Sequence, residues 1–159
     1  SLVLDDGDVL IDRAAILDHL DEVAGPTRAL TPRAGHERRR VMQLIVVATG
    51  AIDKAGAQVY ERHFHAASAV NEDWLARCGD QMRGGLEYLE GRLDGGWLAL
   101  GQFTQADLTT AALIGYLELR MSEVDVAREY PRLAALSARC EAMPAFEAAR
   151  PSPDEVMPA

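Results

Sequence analysis

Cysteine is scarce in this chain. Cys78 and Cys140 are the two among 159 residues, far apart, with no CxxC and no spacing suited to a metal. That excludes a disulfide framework and a cysteine-built metal centre, and it fits buried, reduced thiols in a reducing cytoplasm. Positive charge is in deficit as well: 16 basic residues stand against 25 acidic ones, a formal net charge of -9. Nucleic acid and an anionic membrane surface are therefore poor candidates for the main partner. No apolar run is long enough to cross a bilayer. Ser1 opens directly on an apolar run, without a basic leader, a long apolar core or a cleavage site, so no signal peptide is expected. Internal repeats and low-complexity segments are also missing. What is present is 48% hydrophobic residues, enough for a real core in one ordinary domain, or a domain with a fragment attached. The expectation is a soluble, cytoplasmic protein.

Leu2-Val3-Leu4 and Val9-Leu10-Ile11 flank Asp5-Asp6-Gly7-Asp8, and Asp-Gly between two such runs predicts a β-hairpin. A lone hairpin is marginal in water, and the chain starts on its first strand, so a missing N-terminal portion is expected. Asp12 to Val23 reads as a helix capped by Asp12, with Ile16, Leu17, Leu20 and Val23 on one face, and Gly25-Pro26 stops it. Thr27 to Gly35, which follows Pro26 and contains Pro32 and scattered arginines, reads as a linker. A long helix is expected from about Glu37 to His63, with Val41, Leu44, Ile45, Ala48, Ile52, Ala55 and Val59 as its stripe. Small residues at Ala48, Gly50, Ala51, Gly56 and Ala57 allow close approach of backbone or ligand. A second helix runs from about Glu72 to Leu93 on Leu75, Cys78, Met82, Leu86, Leu89 and Leu93, and Gly95-Gly96 ends it. Tyr130-Pro131 opens another helix, which Met143-Pro144 breaks, with a further short turn through Ala149. The tail from Pro151 to Ala159 reads as loose.

One stretch organises the rest. Thr104 and Asp107 stand three apart ahead of an apolar segment, the spacing of a reciprocal helix cap, with Phe103 and Leu108 placed as a hydrophobic staple. From Ala106 to Leu119 the segment leaves no wide polar face, which places this helix inside a bundle.

Leu2 through Glu22 resembles the last two strands and final helix of the thioredoxin-like domain of cytosolic glutathione transferases of bacterial type. Phe103-Thr104-Gln105-Ala106-Asp107 is similar to the capped helix of that family's all-helical domain. Tyr130-Pro131-Arg132-Leu133 and Met143-Pro144-Ala145-Phe146 resemble its closing helices. The resemblance implies a mainly α fold: a C-terminal-like helical bundle preceded by a hairpin and helix from a truncated thioredoxin-like domain. It divides the chain into that remnant at 1–26, a linker at 27–35, the helical domain at 36–150 and the tail at 151–159. It also implies a detoxifying transferase that uses glutathione as co-substrate, a small hydrophobic electrophile, a homodimer and no metal. The family's thiol-activating Tyr, Ser or Cys lies near a first strand that this sequence does not include. No catalytic residue is assigned here, and the chain by itself is expected to be inactive. Two rivals stand beside the conjugating enzyme: a non-catalytic binding or assembly module, and a glutathione-dependent isomerase, reductase or lyase.

The resemblance further points to Asp12 and Arg13 as the residues that hold the γ-glutamyl end of glutathione. A helix N-terminus offers free N–H groups to a carboxylate, and an acid beside it takes the ammonium. Arg13 stands where the family usually has Ser, although a guanidinium can itself pair with a carboxylate. In the alternative, Asp12 only caps its helix and Arg13 is solvated. Thr49, Asp53, Gly56 and Tyr60 fall at i, i+4, i+7 and i+11, a polar strip with a gap on an apolar rod. The family lines its electrophile pocket from this helix; otherwise the strip faces solvent or a dimer partner. Arg38, Arg39 and Arg40, with Arg28 and Arg33, either draw an anionic substrate or form a solvated face. His63 and His65 do not share a helix face and have no third ligand. Thr104 and Asp107 are assigned a structural role.

Overall fold

The computed structural model describes residues 1–93 and 96–151. Gly95 and the tail beyond Pro151 lie outside the described residues, but the helix expected to reach Leu93 already ends at Glu90, where Gly91 caps it.

The hairpin forms from β1 (Leu2–Val3) and β2 (Val9–Leu10), antiparallel, with Leu2 opposite Leu10 and Val3 opposite Val9. Its turn needs Gly7, whose φ of 94° is strained for any side chain. Among the described residues seven α-helices follow, with a short 3-10 turn at Ala67–Ala69: α1 (Arg13–Ala24), α2 (Gly35–Phe64), α3 (Glu72–Glu90), α4 (Gln105–Arg120), α5 (Val126–Glu129), α6 (Pro131–Glu141) and α7 (Pro144–Ala148). The fold is mainly α, as the periodicities require.

Helices α2, α3, α4 and α6 build the core. α2 packs against α3 and α4, and α4 against α6; Val41, Leu44, Ala48 and Ala55 of α2, Met82, Leu86 and Leu89 of α3, Leu113, Ile114 and Leu117 of α4, and Leu133 and Leu136 of α6 share one buried cluster. Each fully buried leucine contributes about 2 kcal/mol. α2 and α3 approach closely where α3 carries Gly85: a side-chain carbon there would sit 3.1 Å from Ala51 Cβ. Small residues on α2 do permit contact, then, but with a glycine of α3 as the other half. The expected α3 stripe is borne out, since Leu75, Cys78, Met82, Leu86, Leu89 and Leu93 are all buried.

Two contacts tie α6 to α3 from a distance. The Glu90 carboxylate accepts the backbone N–H of Arg132 at 3.0 Å and of Leu133 at 2.9 Å, filling donors that a helix beginning at Pro131 leaves open.

α1 buries no residue of its own and meets α2 through the ion pairs Arg13–Asp53 and Asp18–Arg38. Leu20 and Val23, expected on its apolar face, are 49% and 67% exposed. The segment read as a linker is pinned: the Asp21 carboxylate accepts the N–H of Leu30 at 2.7 Å and of Thr31 at 3.0 Å, and Thr31 is buried. Leu30 in turn offers its carbonyl to Gln105 N–H at 3.0 Å, in the first turn of α4. Among the described residues, no helix is long and apolar enough to cross a membrane.

Candidate functional site

The start of α1 is conformationally unusual. Asp12 caps the helix by accepting Ala14 N–H at 3.1 Å, yet it holds φ 74° and ψ 150°, a region that glycine normally occupies. Such a backbone costs about 1–3 kcal/mol and persists only where its surroundings impose it. Asp12 is exposed, so its carboxylate is available to a ligand.

The Arg13 guanidinium then reaches across to α2 and pairs with Asp53 Oδ1 at 3.0 Å. Two residues expected at different parts of the site, one for glutathione and one for the electrophile, are thus brought together. Their side chains are 45% and 59% exposed, so the pair is worth at most about 1 kcal/mol and an incoming ion can open it.

Thr49 and Gly56 are half-buried and Tyr60 is exposed, so the strip on α2 runs along the open side of the bundle. The Tyr60 ring packs against Phe64, with centroids 5.7 Å apart. Facing the gap at Gly56 is Tyr116 of α4, whose Oη lies 3.8 Å from where a side chain at residue 56 would begin. Burial first, then the neighbouring Tyr60, raises the Tyr116 phenol above its ordinary value, with Arg120 opposing, so it remains protonated at neutral pH. Tyr116 was legible only as part of an apolar run.

The same run hides a groove. α4 is covered on most sides, but Leu108, Ala112, Tyr116 and Leu119 line an apolar recess of about 880 Å³, closed opposite by Ala145 and Phe146 of α7. The expectation that α4 is enclosed all round needs this correction: Ala112 and Leu119 are exposed. A helix apolar on every face supplied the signal, because the elements around it cover only part of that surface.

The remaining candidates lie away from that pair. Arg38 donates to Asp18 of α1 at 3.0 Å and to the Pro32 carbonyl at 3.2 Å, so it braces the connector, while Arg39 and Arg40 are exposed. His65 Nδ1 lies 3.3 Å from the Glu61 carbonyl and 3.5 Å from its carboxylate, and the His63 ring meets Phe64 edge-on at 4.7 Å. Among the described residues, no three potential ligands converge on a point that suits a metal. The capping box of Thr104 and Asp107 is present. Asp107 accepts Thr104 N–H at 2.8 Å and the Thr104 hydroxyl at 2.9 Å, and also Leu98 N–H at 2.8 Å, a bond the motif does not foretell. Burial, with the Asp107 charge adding to it, pushes the Cys140 thiol up to about 11, so that cysteine is inert.

Comparison with known proteins gives a consistent answer. The family model described as glutathione S-transferase, C-terminal domain, matches residues 72–139. No curated protein matches the chain. Among solved structures, a glutathione transferase family member from Pseudomonas fluorescens Pf-5 with bound glutathione is 31% identical; the match covers 94% of this chain and 71% of that one, at a TM-score of 0.84. A glutathione S-transferase from Methylobacterium radiotolerans, in complex with glutathione sulfonate, is 27% identical over 99% of this chain and 74% of that one, at a TM-score of 0.88. A third, from Methylobacillus flagellatus with GSH bound, is 26% identical over 94% and 74%, also at 0.88.

Proposed function

The chain belongs to the glutathione transferase family, and from that premise we propose that its protein moves the glutathione thiolate onto a small hydrophobic electrophile. The observation that carries this is the Arg13–Asp53 pair, because it joins the start of α1 to the strip on α2. Glutathione has what the pair needs in order to exchange partners. Its γ-glutamyl carboxylate takes Arg13, and its ammonium takes Asp12 and the released Asp53. The electrophile lies beyond, against Thr49, Gly56 and Tyr60. The sulfur forms its bond to the electrophilic carbon as the leaving group departs with its electron pair, and the thiol proton has already gone to solvent. No residue of this chain is assigned the activation of the thiol.

The accompanying assignments belong to the same reading: a thioredoxin-like part at 1–26, a connector at 27–35, a helical domain at 36–150, and cytoplasmic residence as a homodimer. Buried thiols and a net charge of -9 support the absence of an oxidising compartment and of nucleic acid.

Asp12→Asn separates the cap from the charge, since Asn keeps an oxygen for Ala14 N–H and tolerates positive φ. Expressed from its whole coding sequence, the wild-type protein is expected to be retained on immobilised glutathione, and Asp12→Asn to elute early with an unchanged melting temperature. The Arg13–Asp53 pair also favours a second reading, a binding module whose glutathione position is closed by its own guanidinium. A folded wild-type protein that passes straight through the column would decide for that one.

A further inference from the structure

We propose that the Arg13–Asp53 pair is a latch on this site. Closed, it withholds the guanidinium from simple anions; it opens to a ligand end that carries a carboxylate and an ammonium together. The proposal rests on the transferase reading and deepens it by saying how entry of the thiol substrate is controlled. Three observations carry it. Among the described residues, Arg13 and Asp53 pair with each other alone, at 3.0 Å, although they stand 40 positions apart. The pair is not needed to hold α1 in place: Asp18 of α1 pairs with Arg38 at 3.0 Å, and Asp21 accepts the N–H groups of Leu30 and Thr31 in the connector. Arg13 can therefore let go while α1 stays docked. Both side chains of the pair are well exposed, so it breaks without uncovering any core. A structural brace would show the reverse, with burial and no second tie.

Opening the pair frees a cation on α1 and an anion on α2. A ligand carboxylate taken by Arg13 leaves the Asp53 carboxylate without its partner, and an ammonium on the same ligand restores the balance. A ligand with the carboxylate alone exchanges one ion pair for another and gains little. An exposed pair of this kind lowers the affinity of such a carboxylate by about twofold to fivefold. The neutral Ser usual at this position in the family forms no ion pair with Asp53, so the latch comes with Arg13.

Calorimetry at physiological salt, on the protein expressed from its whole coding sequence, compares S-methylglutathione with its glutaryl counterpart, which keeps the carboxylate and lacks only the ammonium. Asp53→Asn is expected to bind the glutaryl compound about twofold to fivefold more tightly. S-methylglutathione should gain less, or weaken, because its ammonium loses a partner. Asp18→Asn removes the same charge but leaves the latch intact, and is expected to hold both affinities within about 1.5-fold. Asp18 and Asp53 are both exposed, so the melting temperatures should stay close to wild type. A glutaryl affinity that is unchanged or weaker in Asp53→Asn, or an equal gain from Asp18→Asn, overturns the latch and leaves the transferase reading standing. Binding by Asp53→Asn with none by the wild-type protein supports the latch and overturns that reading. No binding of either probe by either protein overturns both.

Discussion

Asp107 is a carboxylate without solvent exposure that satisfies three donors at once, two from Thr104 and one from Leu98. Replacing it with alanine leaves two buried N–H groups unpaired, and each such group costs about 1–3 kcal/mol. Asp107→Ala is therefore expected to destabilise by about 3 kcal/mol in urea unfolding, and Thr104→Ala by about 1 kcal/mol. Equal effects would mean that the Leu98 bond contributes nothing. Cys140 supports a second expectation. With its thiol raised to about 11, on the order of one in a thousand is ionised at pH 8, so a thiol reagent should label it only after denaturation. An unfolded cysteine titrates near ~8.5. The proton held more tightly in the fold thus contributes stability that is complete below that pH and is lost as pH rises through about 11. Rapid native labelling at pH 8 would contradict this. The cap was legible because its whole pattern lies within four consecutive residues. The strained backbone of Asp12 was not, since an aspartate caps a helix equally well with ordinary extended dihedrals.

Between elements, two adjacent glycines on α3 should behave oppositely. Gly84 has open space where a side chain would go, whereas Gly85 faces Ala51 Cβ at 3.1 Å and the Val47 carbonyl at 3.6 Å. Gly84→Ala is expected to stabilise by about 0.5–1 kcal/mol through helix propensity alone. Gly85→Val should destabilise by about 1–3 kcal/mol, because α2 can yield only by shifting its backbone. Thermal unfolding of both variants checks the contrast, and a shift of the same sign in each would sink it. Helix existence and the inward stripes were readable because periodicity is local. The support of α6 by Glu90 was not, because nothing near Glu90 marks it as a cap for residues so much later in the chain. The groove beside Tyr116 was equally hidden: an apolar run states what a helix can bury, not how much of it the neighbouring helices cover.

At the scale of the whole molecule, the outer side of α2 and α3 is the place to look for a partner copy. Val46 is 60% exposed, Lys54 lies two turns further along α2, and its ammonium sits 5.4 Å from the ring of the exposed Trp74. An apolar residue and an aromatic open to water on paired helices suit an isologous contact. Sedimentation is expected to give a dimer for the wild-type protein and a shift toward monomer for Val46→Glu. A wild-type monomer across the micromolar range would end the idea. Pro26 and Pro32 marked the stretch between α1 and α2, but not the bonds that hold it. Prolines near a composition change read as a joint, and here that joint is clamped.

The clamp has a mechanical sense. Asp21 grips Leu30 and Thr31 from α1, and Leu30 holds the N–H of Gln105 at the head of α4. The connector behaves as a splint, not a hinge. Two short bonds thus join α1 to the first turn of the central helix, two residues from the carboxylate that locks it.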